Sequence, residues 1–257
     1  MNKAGISWPI QEETSDPLAA FFQPGSKLTW HYNWNKRWDC QLLPHTSPNL
    51  QLNAEFVPMI FAPPYLNNGV DVQGDWQLML GYNEPDHANP AVAVQTSPAE
   101  CAAAWVELAK LRSPGRRLAS PAVAVDLNWL KEFFSYLPPG ARPDLLAVHV
   151  YTTTFESLRD KLEEYYREFG LPIILTEFAM TSFDPNVPPP HDMQQVHNFM
   201  GQATKWLDET PWIERYAWFG AVRNSYHLHG VHELNRLMDA VGNVTALGRQ
   251  YIAGGHD

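Results

Sequence analysis

Two glutamates stand where apolar runs end. Glu84 lies in Gly81-Tyr82-Asn83-Glu84-Pro85-Asp86, directly after residues 76–82, and Glu177 lies in Leu175-Thr176-Glu177-Phe178, at the close of residues 172–178. A carboxylate at the end of an apolar strand is costly to bury. Two of them in that setting are more readily explained by chemistry than by packing. Paired carboxyls can hydrolyse a glycosidic bond: one protonates the leaving oxygen, and the other attacks the anomeric carbon or activates water. A partly desolvated pocket and a neighbouring carboxylate raise the pKa of the acid. Asn83 adds an amide able to hydrogen-bond the sugar hydroxyl beside the reacting carbon.

Sugar rings present apolar C–H faces, which stack on aromatic rings. The aromatic residues at strand ends, Trp8, Tyr32, Trp34, Tyr151 and Trp218, are the candidates for a cleft, whereas Trp105, Trp129 and Trp206 fall on helices and read as packing. His149 and Tyr151 are two apart on one strand and share a side; His149 lines the cleft or is a hydrogen-bonded core histidine. His31 and Asn33 share one face and Tyr32 and Trp34 the other, and of these the reading favours Tyr32 and Asn33 near the site. His227, His229 and His232, with Glu233 beside them, invite a metal reading. No zinc-protease helix pattern accompanies them, so they are taken as a solvated or substrate-facing loop, with no metal ligand and no cofactor. There is no Gly-x-Ser-x-Gly elbow, phosphate loop or dinucleotide fingerprint.

Residues 4–8, 28–34, 55–62, 76–82, 117–122, 145–151, 172–178 and 213–220 read as strands. Several are near-continuous apolar runs, as parallel strands covered on both faces should be. Ser97-Pro98-Ala99-Glu100 is a capping-box start, followed by Cys101, Trp105 and Leu108 on one face. Asp126 opens a helix carrying Leu127, Leu130, Phe134 and Leu137. Thr154 opens another with Leu158, Leu162, Tyr165 and Phe169, stopped by Gly170. Met193, Val196, Met200, Ala203 and Leu207 form a fourth stripe. Alternating strands and helices imply a parallel sheet, and eight strands in this length imply an α/β (β/α)8 TIM barrel forming one catalytic domain over 1–257. Residues 35–54 and 63–75 show no convincing helix, so the first half is expected to be irregular.

The 257 residues carry a formal charge of −10. That charge disfavours nucleic acid and anionic membranes as partners and suits a neutral substrate. The start has no signal-peptide pattern, and no window approaches a membrane span. A soluble monomer is expected, and location outside the cell or in a periplasm stays open if a leader has been removed. Cys101 falls on an apolar helix face and reads as a buried thiol; a bond to Cys40 stays open.

Gly5-Ile6-Ser7-Trp8, Gly81-Tyr82-Asn83-Glu84-Pro85-Asp86, His149-Val150-Tyr151, Leu175-Thr176-Glu177-Phe178 and Trp218-Phe219-Gly220 together resemble glycoside hydrolase family 128 of clan A. The resemblance implies a retaining endo-β-1,3-glucanase, with Glu84 as acid/base and Glu177 as nucleophile. Another clan A glycanase, acting on β-1,4-glucan, mannan or xylan, and a glucan-binding barrel that does not cut are the alternatives.

Overall fold

The computed structural model describes residues 2–9, 11–38, 45–66, 72 and 74–256. Its strands are β1 (Ala4–Ser7), β2 (Trp30–Tyr32), β3 (Glu55–Phe56), β4 (Leu78–Met79), β5 (Arg117–Leu118), β6 (Leu146–Thr152), β7 (Ile173–Met180) and β8 (Ile213–Trp218). Each falls within or beside one of the eight apolar runs. Six pair in parallel in the order β3-β2-β1-β8-β7-β6, and β4 pairs with β5. The two seams are closed by parallel bridges, Met59 with Leu80 and Ala119 with Leu145. The result is an eight-stranded TIM barrel whose first-half strands are short.

One buried cluster draws on strand segments alone, among them Trp30, Val57, Leu80, Ala119, Ala147 and Ile174, and fills the barrel. A larger cluster joins the outer strand faces to the helices. The helices are α1 (Pro98–Ala109), α2 (Leu127–Tyr136), α3 (Phe155–Phe169), α4 (Met193–Glu209) and α5 (Ala246–Ala253). Ser97 and Glu100 form the reciprocal capping box at α1. Asp126 and Thr154 cap α2 and α3, and Gly170 ends α3 in the left-handed conformation. These caps satisfy backbone groups that the helix itself leaves unpaired.

The first half has no α-helix before α1 among the described residues, only 3₁₀ turns at Asp16–Phe22 and Pro63–Leu66. Cys101 is buried and free, and burial pushes its thiol up to about 12; Cys40 lies outside the described residues. Among the described residues, no helix is long and apolar enough to cross a membrane.

Candidate active site

β7 does not run regularly past β6. The register shifts between Val148, opposite Leu175, and His149, opposite Glu177, which leaves Thr176 as the extra residue. A bulge re-aims the side chains that follow it. Here it sets Glu177 directly across from His149. On the opposite wall, Glu84 follows β4 with φ of +42°, in the left-handed region that a carboxylate-bearing residue rarely adopts. The Glu84 amide donates to the Ala122 carbonyl at 2.8 Å. Two residues on, Asp86 accepts backbone N–H bonds from Ala124, Val125 and Asp126 at 2.8–3.0 Å, tying the glutamate loop to the start of α2.

His149 bridges the two carboxylates. Its Nδ1 lies 2.7 Å from Glu84 Oε1 and its Nε2 3.4 Å from Glu177 Oε1. Oxygens of Glu84 and Glu177 lie within 4.8 Å of each other. Tyr151 donates its hydroxyl to Glu177 Oε2 at 2.6 Å, and the Trp34 indole donates to Glu177 Oε1 at 2.9 Å. The Tyr32 hydroxyl donates to the Thr176 carbonyl at 2.9 Å and lies 3.5 Å from Glu177 Oε1.

These groups titrate together. Burial opposes a charge on His149, but Glu177 and Glu84 outweigh it and hold the imidazole above its ordinary pKa. Burial pushes the Glu177 carboxyl up; the charge of His149 opposes this, the charge of Glu84 adds to it, and the net shift is upward. Burial also pushes Glu84 up, but the hydrogen bond and charge of His149, with the charges of His87 and His229, leave it below the usual carboxylate range, so the raised acid expected from the sequence is reversed here by the bridging imidazole. His149 Nδ1 and Glu84 Oε1 share a proton across 2.7 Å, beside a Glu177 held by Tyr151 and Trp34.

Some expected residues lie elsewhere. Trp8 and Trp218 are 0% exposed, so neither can stack on a sugar. Trp218 shares the outward face of β8 with Tyr216, packs on Phe178, Phe199 and Tyr251, and donates its indole N–H to the Asn235 carbonyl. Asn33 is also misplaced by the sequence reading. Its amide donates to the Arg37 carbonyl and its oxygen accepts from the Asn35 amide, so it shapes a loop. Asn83 donates to the Val92 carbonyl at 3.0 Å, and its buried Oδ1 has no protein partner. His31 sits on the outer face of β2 among Phe22, Trp38 and Phe56. Trp105, Trp129 and Trp206 pack as read.

The site also holds residues that were not singled out. Phe219 packs edge-on against Trp34 and Tyr151. Phe183 leans on Tyr151 and is 59% exposed. Phe219 directly follows Trp218, and strand parity was the signal available for it; Phe183 lies three residues past the end of β7, where the sequence carries no such signal. The three loop histidines do not converge: His227 binds Glu12, His232 caps a turn through Leu234 N, and His229 lies near enough for its charge to act on Glu84. Glu12 is a buried carboxylate that also pairs with Arg223, and it fastens the β8 loop to the segment after β1.

A family model described as glycosyl hydrolase catalytic core matches residues 5–251. The chain is 30% identical over 230 residues to "Alkali-sensitive linkage protein 1" of Schizosaccharomyces pombe, covering 88% of this chain and 40% of that protein. It thus spans well under half the length of that relative. Among solved structures it is similar to an exo-β-1,3-glucanase of glycoside hydrolase family 128, subgroup V, from Cryptococcus neoformans. The TM-score there is 0.94 at 57% identity, over 99% of this chain and 100% of the other. A subgroup II endo-β-1,3-glucanase from Sorangium cellulosum aligns with a TM-score of 0.77 at 25% identity, over 98% of each chain. A subgroup VII oligosaccharide-binding protein from Cryptococcus neoformans shares the fold, with a TM-score of 0.74 at 21% identity over 98% of this chain and 93% of the other.

Proposed function

The chain belongs to the glycosyl hydrolase catalytic core family and, within it, to glycoside hydrolase family 128, and from that premise we propose that it hydrolyses β-1,3-glucan with retention of configuration. The observation that carries retention is the spacing of the carboxylates. Retaining pairs stand about 5–5.5 Å apart, while inverting pairs leave room for water at roughly 6.5–9.5 Å. Oxygens within 4.8 Å of each other support the shorter class.

In this reading Glu84 delivers a proton to the glycosidic oxygen as the C1–O bond breaks. The proton is drawn from the bond it shares with His149 over 2.7 Å. Glu177, held by Tyr151 and Trp34, forms the new bond to C1. Water then attacks C1 while Glu84 takes up its proton, and Glu177 leaves as the carboxylate. Phe183 and the half-buried face of Trp34 are accessible apolar surfaces beside these groups, suited to a sugar ring. No step needs a cofactor.

For the mode of attack we favour release from a chain end over the internal cleavage expected from the sequence. The full-length neighbour at 57% identity is described as exo-acting, and the endo-acting neighbour shares 25%. Product release from β-1,3-glucan and β-1,4-glucan, compared for wild type, Glu84→Gln and Glu177→Gln, tests the reading. Short products from β-1,3-glucan with slowly falling viscosity, lost in both variants, are expected. A rapid viscosity drop would restore endo action, and activity on β-1,4-glucan alone would overturn the linkage. Glucan binding without new reducing ends would make the barrel a binding protein.

A further inference from the structure

Trp34 adopts a conformation that a bulky residue takes only where its surroundings enforce it, with φ of +56°. The enforcing contacts lie on either side. Asn33 bridges the loop through the Arg37 carbonyl and the Asn35 amide, both at 3.1 Å, and the Asn35 carbonyl is held by the Met59 amide at 2.9 Å. The outcome is an indole wedged between Tyr32 and Phe219 with its N–H aimed at Glu177 Oε1. A ring kept only to stack on a sugar has no need of an N–H pointed at a carboxylate.

The donors around Glu177 divide unequally. Oε1 accepts from the Trp34 Nε1–H at 2.9 Å and lies 3.4 Å from His149 Nε2, its ion-pair partner. The nearby Tyr32 hydroxyl has one proton, and its shorter bond goes to the Thr176 carbonyl. Among the described residues Oε2 accepts from the Tyr151 hydroxyl alone, at 2.6 Å. An oxygen held by an N–H donor beside a second positive group is the poorer nucleophile and the better seat for charge.

We propose that Trp34 is a positioning residue that makes Oε1 the spectator oxygen of Glu177, leaves Oε2 to attack, and chiefly serves the second half of the reaction. The inference rests on Glu177 being the nucleophile. In the first step an Oε2 lone pair bonds to C1, the bond from C1 to the leaving oxygen breaks, and that oxygen takes the proton of Glu84. Oε1 is then the carbonyl oxygen of a glycosyl ester. In the second step water bonds to C1 and gives its proton to Glu84, the Oε2–C1 bond breaks, and the electron pair returns to the carboxylate. Charge rebuilds on Oε1 in front of the Trp34 N–H. A hydrogen bond to a charge being formed lowers the barrier of the step that forms it.

The test uses a 2-fluoro-2-deoxy laminaribiosyl fluoride, which labels a retaining nucleophile and releases slowly. Wild type is compared with Trp34→Phe and with the protein carrying 3-benzothienylalanine at position 34, which keeps the shape and replaces N–H by sulfur. Reactivation should slow about ten- to a hundredfold in both, the range spanned by a hydrogen bond to a charged group. Labelling should slow by much less, and on fast substrates kcat and KM should fall together as the ester accumulates. A raised KM with unchanged reactivation, or equal slowing of both steps, overturns the proposal while leaving the nucleophile assigned. Wild type that is never labelled at Glu177 overturns the underlying reading instead.

Discussion

His149→Gln separates geometry from charge at the centre of the site. Glutamine can still donate to Glu84, but it cannot carry a proton between two carboxylates. His149 Nε2 stands 3.4 Å from Glu177 Oε1, and both side chains are buried. At an effective dielectric of about 20, unit charges at that distance attract by about 5 kcal/mol. Tyr151 and Trp34 still favour the ionised form, but without the imidazolium the Glu177 carboxyl rises further. The sign follows: with the imidazolium gone, Glu177 takes up a proton at higher pH, and the acid limb of kcat/KM moves upward. The assay is the pH profile of both proteins on one β-1,3-linked oligosaccharide. An acid limb that stays in place while the rate falls would refute the electrostatic role and reduce His149 to a packing residue.

Two further outcomes follow from groups outside the site. His31 is wholly buried, with a pKa lowered to about 3 from 6.5 by desolvation, and its Nδ1 has no partner among the described residues. The unfolded chain therefore binds this proton first, and stability falls as pH drops from 6.5 toward 3, by about 1.4 kcal/mol per pH unit. Urea unfolding of His31→Phe should lack that part of the slope, and an unchanged slope would mean the imidazole is not buried neutral. Burial pushes the Glu12 carboxyl up, but His227 and Arg223 outweigh it and hold it below its ordinary value. Its contribution is present above the ordinary carboxylate range and lost as pH falls through the lowered pKa. Glu12→Ala leaves Arg223 unpaired and should cost roughly 3 kcal/mol at neutral pH, the lower end for a broken buried pair; a loss under about 1 kcal/mol would show the clamp to be solvated.

The strands were legible because each is an apolar run closed by Pro, Gly or a polar cluster, and α1 to α3 because Ser97, Asp126 and Thr154 announce their caps. α5 was not. It is eight residues long and carries Gly248, which sits there because a Cβ would meet the Leu237 carbonyl at 2.2 Å. Glu84 stood out as a charge ending an apolar run, and Glu177 as one within a run that β7 continues to Met180, past the end expected from the sequence. The aromatic residues did not sort, since a strand-end ring can face the cleft or the helices. Trp218 went outward with Tyr216 while Phe219, one residue on, went to the cleft. Trp34 was read as a stacking ring, and nothing in the sequence announces the left-handed backbone that aims its N–H. The bulge at Thr176, which decides where Glu177 points, shows only in the register of β7 against its neighbours β6 and β8 and is invisible in the β7 sequence alone.

The central claim is that Glu84 and Glu177 cleave a β-1,3-glucan by double displacement. An NMR time course of a β-1,3-linked glucose oligosaccharide, read in the first minutes before mutarotation, tests it most directly. The β-anomer of the new reducing end should appear first, with the α-anomer growing in later. An α-anomer formed first would mean that the two carboxylates bracket a water molecule and that Glu177 never bonds to the sugar.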